Sequence, residues 1–273
     1  MHTERLIRSP LLAGIFYPSD SGQLQSEMNL LAESAKPLPH PACAIIAPHG
    51  SLMYSGKVVA KAWGALIGAE PSLIAIAGPA HLPYEEGVFL PESAQFEIPG
   101  ALFSVDSSLE EYLLARIPAL KKNDLPHLED HSIEMQLPFA AHFFPGVPIL
   151  PFVVSGRKQS TVDTTTELLK EIRICVGNQG VLVISSDLAV SDTAEECDSL
   201  SKEFIASLSV PGNGPFHGFD ASRHSFCGEA AIRAFRAACP EARPTLLDYS
   251  NSAAFKEHSD ELVVGYGAIG FKE

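Results

Sequence analysis

Short, nearly continuous apolar runs along this chain alternate with longer stretches in which apolar residues return about every three or four positions. The first pattern is that of strands covered on both faces, the second that of amphipathic helices. Buried strands are predicted at 43–47, 73–77, 147–154 and 180–185. Helices are predicted at 58–67, 109–117, 162–175, 194–208 and 227–238. An earlier helix carries Leu24, Met28 and Leu31 on one face, starts after the capping pair Ser19-Asp20 and stops before the prolines of 37–41. Strand and helix in alternation specify an α/β fold.

Shorter runs at 87–90, 95–98 and 102–105 are broken by Pro91, Pro99 and Gly100, which places antiparallel strands beside the main sheet. The segment from His131 to Leu137 starts a helix with Ser132 near its cap; Pro138 kinks or resets it, and Pro145-Gly146 ends it. Residues 211–218 read as loop and 262–271 as a glycine-rich last strand. No internal repeat interrupts residues 1–273, which are expected to form one domain. Two nucleotide motifs are excluded. Gly265-Tyr266-Gly267-Ala268-Ile269-Gly270 lacks the helix that a dinucleotide fingerprint needs after it, and Gly50 to Lys57 has the wrong spacing for a phosphate loop.

Composition narrows the function. With 19 Lys and Arg against 33 Asp and Glu, the formal charge of −14 repels a nucleic-acid backbone. The five cysteines form no Cys-x-x-Cys pair, so a disulfide framework and a zinc ribbon are both disfavoured and a reducing cytoplasm fits. No apolar stretch reaches the ~18 residues of a membrane span, so the expectation is a soluble, unprocessed protein with no membrane partner.

Candidate chemistry sits where predicted strands end. His49 follows the strand at 43–47 in Ala47-Pro48-His49-Gly50, and His81 follows the strand at 73–77 in Gly78-Pro79-Ala80-His81. Open parallel sheets bind ligands beyond the carboxyl ends of their strands, and neutral imidazole is the commonest metal-ligating side chain. Cys227 stands just ahead of an alanine-rich helix, whose positive end favours a thiolate. The other cysteines, Cys43, Cys175, Cys197 and Cys239, fit buried, inert positions. His131 lies among Glu129, Asp130 and Glu134, carboxylates able to orient it, and Asp187 follows the strand at 180–185. Each of these residues also has a plain structural reading: loop hydrogen bonding for the histidines, a buried thiol for Cys227, a helix cap for Asp187.

Several segments together resemble the Memo family: Ala47-Pro-His-Gly-Ser-Leu-Met-Tyr-Ser-Gly56, Gly78-Pro-Ala-His81, Asp130-His-Ser-Ile-Glu-Met-Gln-Leu-Pro-Phe139, Ser185-Ser-Asp-Leu188 and Phe226-Cys-Gly228. The resemblance runs from about Pro10 to Phe271. It implies a central mixed, largely parallel sheet flanked by helices, as in class III extradiol dioxygenases. It also implies one mononuclear metal ion held by His49, His81 and Cys227, iron(II) or copper in the family, with zinc compatible with the same donors. His131 and Asp187 then line the pocket as candidate catalytic residues of an oxidoreductase acting on an unknown small molecule or peptide. The system name of the bacterial members implies a radical-SAM partner.

One departure bears on catalysis. Family members usually carry a histidine within two residues of Ser-Ser-Asp-Leu, where this chain has Ala189, Val190 and Ser191, none of them a proton shuttle of that kind. The alternative is therefore a binding module for a peptide or protein, with Lys121-Lys122 and Arg157-Lys158 the adjacent basic pairs available to an acidic ligand.

Overall fold

The structure, a computed structural model, describes residues 6–82, 84–209, 226–255 and 262–273. The loop expected at 211–218 lies outside them, as does Ser225. In chain order the elements are β1 (Ile7–Arg8), α1 (Ser21–Ala32), β2 (Ala44–Ala47), α2 (Leu52–Gly64), β3 (Leu73–Pro79), β4 (Gly87–Leu90), β5 (Gln95–Ile98), β6 (Ala101–Ser104), α3 (Ser107–Arg116) and β7 (Leu120–Lys122). They continue with α4 (Leu125–Glu129), α5 (Leu137–Phe143), β8 (Ile149–Ser155), α6 (Gln159–Val176), β9 (Gly180–Ser185), β10 (Val190–Ser191), α7 (Ala194–Leu208), α8 (Glu229–Ala238), β11 (Arg243–Asn251) and β12 (Val263–Lys272).

A nine-stranded mixed sheet, ordered β10-β12-β2-β9-β3-β8-β4-β7 with β11 also paired to β12, divides the protein into two apolar layers. Its centre, β2, β9, β3 and β8, is parallel; β12 joins β2 antiparallel and β4 joins β8 antiparallel. Because side chains alternate across a strand, each continuous apolar run serves both layers. Ile45, Ile74, Ile76, Val181 and Val183 face the core beneath α1, α2 and α5. Ile46, Leu73, Ala75, Leu182 and Ile184 face the core beneath α3, α6, α7 and α8.

Helix starts follow local chemistry. Asp20, Asp106 and Thr193 each accept a backbone N–H three residues on, capping α1, α3 and α7. Three expectations need correction. Helix α5 begins at Leu137, led in by a 3-10 turn at Glu134–Gln136 rather than by an α-helical turn capped near Ser132, and Pro138 marks the reset, in the first turn of α5 where a missing N–H costs nothing. The short strands divide: β4 belongs to the main sheet, whereas β5 and β6 form a separate small sheet with β1. Strand β11, whose Arg, Pro and Asp obscure the alternation, lies where no element is evident from the pattern.

Candidate metal centre

Register brings the chemistry to one edge. Ala47 of β2 lies opposite Ser185 of β9, and Ala77 of β3 opposite Ile184, so these three neighbouring parallel strands end together. His49 and Asp187 each stand two residues past their strand, and His81 stands two residues past Pro79. Cys227 reaches the same edge from the start of α8. Its neighbour Phe226 is buried against Phe204 of α7, with ring centres 4.2 Å apart, and the Gly228 N–H donates to Ser186 Oγ at 3.0 Å. A Cβ at Gly228 would meet Ser186 Cβ at 2.5 Å, so only glycine permits this approach.

The residues singled out in the sequence converge. The rings of His49, His81 and His131 lie pairwise 4.7 to 5.2 Å apart between centres, and one ligating nitrogen from each falls within 4.8 Å of the others. Cys227 Sγ is 3.3 Å from His49 Nε2 and accepts the Asp187 N–H at 3.2 Å. Asp187 Oδ1 accepts the His49 N–H at 2.9 Å, while Oδ2 lies 3.9 Å from His49 Nε2. Asp187 caps no helix. The chain beyond it pairs with β12 through Leu188 and Ala189, which seats aliphatic side chains in the core. His131, arriving from the 130–136 segment, supplies the third imidazole of the cluster.

That segment is held to the edge by Asp130, a residue that sequence reasoning placed only as a neighbour of His131. One oxygen of Asp130 accepts both the His81 backbone N–H, at 2.7 Å, and His81 Nδ1–H, at 2.9 Å; the other accepts the Ser132 N–H at 2.8 Å. Ser132 Oγ donates to the Pro79 carbonyl at 3.0 Å, and a Cβ at Gly78 would meet that Oγ at 2.4 Å. Glu134, fully buried, accepts from Arg8, Tyr17 and the backbone of Leu11 and Leu12. It thereby ties down the N-terminal stretch whose Phe16 meets the His131 ring edge-on at 5.6 Å. The sequence signal for Glu134 is a carboxylate set between Ile133 and Met135; Asp130, between Glu129 and His131, carries none of its own.

Charge in the cluster follows from burial and neighbours. Burial alone would lower the His81 pKa, but hydrogen bonds to Asp130 and Cys227 outweigh it and raise the value to about 10. Burial, then the charge on His81, holds His49 and His131 below the ordinary histidine value. Burial raises the Asp187 carboxyl to about 6 against the pull of the His49 and Gly50 backbone N–H groups.

Comparison with known proteins places the chain in a family. Residues 8–270 match the model of the family described as Memo-like protein. The chain belongs to the Memo family. A MEMO1 family protein of Methanosarcina mazei is 31% identical over 268 residues, covering 96% of this chain and 98% of that protein. A MEMO1 family protein of Aquifex aeolicus is 27% identical over 274 residues, covering 96% and 98%. The crystal structure of an uncharacterized protein from Escherichia coli K12, JW3007, shares the fold with a TM-score of 0.52 at 12% identity, covering 83% of this chain and 98% of that one.

For a Memo protein the donor set fits a transition metal. His81 has its Nδ1 engaged by a carboxylate, the arrangement that orients ligating histidines, which leaves Nε2 for an ion. Cys227 adds a soft donor and the three imidazoles borderline ones, a mixture that suits iron, copper or zinc and disfavours magnesium or calcium. The remaining cysteines are all free; Cys197 is buried, Cys43 and Cys239 are half-buried, and Cys175 is exposed on α6, contrary to the buried position expected for it. Among the described residues, no helix is long and apolar enough to cross a membrane.

Proposed function

We propose that this Memo-family protein binds one transition-metal ion, iron(II) or copper, through His49, His81 and Cys227, and uses it in oxidoreductase chemistry. The observation that carries this reading is the convergence of three imidazole nitrogens within 4.8 Å at the ends of β2, β3 and the 130–136 segment, with the Cys227 thiol 3.3 Å from His49. A bound ion of this class supplies a redox centre and a Lewis acid with room for an exogenous ligand. The chain's own residues do the rest. Asp130 orients His81, and burial keeps His49 neutral and therefore able to ligate.

His131 is the candidate proton carrier, since burial and His81 lower its pKa and the aliphatic 189–190 stretch offers none. Asp187, with a pKa near 6, is the second titrating group facing the same space. Peptide recognition has less support. Lys121, Lys122, Arg157 and Lys158 face Glu85, Glu110, Glu229 and Glu86 at 2.5 to 3.4 Å, so their charge is already answered within the protein.

Anaerobic loading with iron(II), removal of excess metal and elemental analysis test the proposal. About one ion per chain is expected, with loss of the ion in His49→Ala and Cys227→Ala; metal absent, or unaffected by both substitutions, refutes it. Oxygen uptake by the iron-loaded protein offered catechol-like substrates tests turnover. Stoichiometric metal without any uptake favours the binding-module reading.

A further inference from the structure

A chain of buried polar groups behind His49 has its hydrogen-bond directions fixed from one end. Trp63 of α2 carries a single indole N–H and no acceptor, and it reaches Gln136 at 3.1 Å. The atom it meets is therefore the amide oxygen, so the amide nitrogen of Gln136 points the other way. That nitrogen donates to the Pro48 carbonyl at 2.9 Å and to Ser185 Oγ at 3.0 Å. The carbonyl confirms the orientation, because it accepts and never donates.

Ser185 Oγ has one proton and two lone pairs. It lies 2.7 Å from the Ser132 carbonyl, a pure acceptor, so its proton is committed there. One lone pair receives the Gln136 amide. Only the second lone pair remains for His49 Nδ1 at 2.9 Å, and the ring nitrogen must be the donor. Every group in the chain is buried, so water does not supply a substitute partner. With the proton on Nε2 instead, Ser185 would have to abandon the Ser132 carbonyl in order to meet an Nδ1 lone pair.

We propose that Ser185, held by Gln136 and Trp63, is a positioning residue that keeps the proton of His49 on Nδ1 and turns the Nε2 lone pair toward Cys227 and the imidazole cluster. His49 is thus presented in the one tautomer that ligates from Nε2, with the proton's place set before any ion arrives. The serine does for His49 what Asp130 does for His81. The two histidines differ in what backs them, a neutral hydroxyl behind His49 and a carboxylate behind His81.

The effect on metal affinity rests on the proposed metal site, but the tautomer is a property of the metal-free protein. Two-bond 1H–15N correlation spectra of the metal-free, 15N-labelled protein at neutral pH read it directly. His49 is expected to show a protonated Nδ1 and an unprotonated Nε2. In Ser185→Ala a mixture of tautomers is expected, and the zinc(II) dissociation constant, measured by chelator competition, should rise about 10- to 100-fold. Ser185→Thr, which restores the hydroxyl, should return both readings toward wild type, with thermal unfolding followed on each variant.

A His49 proton on Nε2 in the wild type overturns the proposal, and that spectrum needs no variant to fold. Zinc affinity unchanged in Ser185→Ala overturns it as well. Wild-type protein that shows the expected tautomer yet binds no zinc would instead refute the metal site and leave the tautomer lock standing.

Discussion

Glu134→Gln changes almost no volume and removes one charge, which makes it a sharp probe of how the cluster is held. Glu134 is fully buried, and Arg8, its ionic partner, is 1% exposed. In the variant, Arg8 keeps the backbone carbonyls of His127 at 3.0 Å, Asp130 at 3.3 Å and Ser9 at 3.4 Å, with a weaker neutral oxygen in place of the carboxylate. Removing one member of a buried ion pair costs ~3–5 kcal/mol, chiefly because the other charge remains out of water. Tyr17, at 2.5 Å, and the N–H groups of Leu11 and Leu12, at 3.0 and 2.9 Å, lose an anionic acceptor too. At ~2–4 °C per kcal/mol for a chain of this order of size, the melting midpoint should fall on the order of 10 °C. Urea unfolding of wild type, Glu134→Leu, Arg8→Met and the double variant Arg8→Met/Glu134→Leu completes a cycle in which the double variant recovers the part of the loss that comes from the stranded Arg8 charge. A Glu134→Gln protein within ~1 kcal/mol of wild type would refute the assignment of this pair as the anchor of the N-terminal stretch.

Two other perturbations follow from the same geometry. His127 is fully buried with no partner for Nδ1, and burial, only partly opposed by its contact with the Phe89 carbonyl, lowers its pKa to about 4. The unfolded chain protonates near 6.5, so between these values it binds the proton first and stability falls as pH drops through that window, by up to about 3 kcal/mol. Urea midpoints at neutral and acid pH should therefore differ less in His127→Gln than in wild type, and equal differences would contradict this. Asp130→Asn removes the carboxylate that outweighs burial at His81, so the His81 pKa should drop from about 10 to the ordinary histidine range or below, as followed by NMR titration. A titration that does not move would assign the elevation to Cys227 alone.

Much of this architecture was legible in the apolar pattern. Strands such as Leu73–Pro79 and Ile149–Ser155 are buried on both faces, and a continuous apolar run is how such a strand must read. Helix α5 was misplaced because the 130–136 segment spends its polar side chains on tertiary partners rather than on capping: Ser132 bonds Pro79, and Asp130 holds His81. Strand β11 escaped because its residues are half-buried at most, so nothing forces a period of two. His49, His81 and Cys227 stood out by their places at strand and helix ends. Ser185 and Gln136 did not, since a serine at the end of a buried strand and a glutamine before a helix carry no local sign of one another, being brought within 3.0 Å only by the crossing of β9 and the 130–136 segment.

On the proposed reading, one ion binds where two imidazoles and the Cys227 sulfur meet. Titration of the metal-free protein with cobalt(II), followed by absorption, tests it most directly. Saturation at one equivalent is expected, with a sulfur-to-metal charge-transfer band that is lost in Cys227→Ser and weakened in His49→Ala. Saturation with no such band, or a band indifferent to Cys227→Ser, would contradict it.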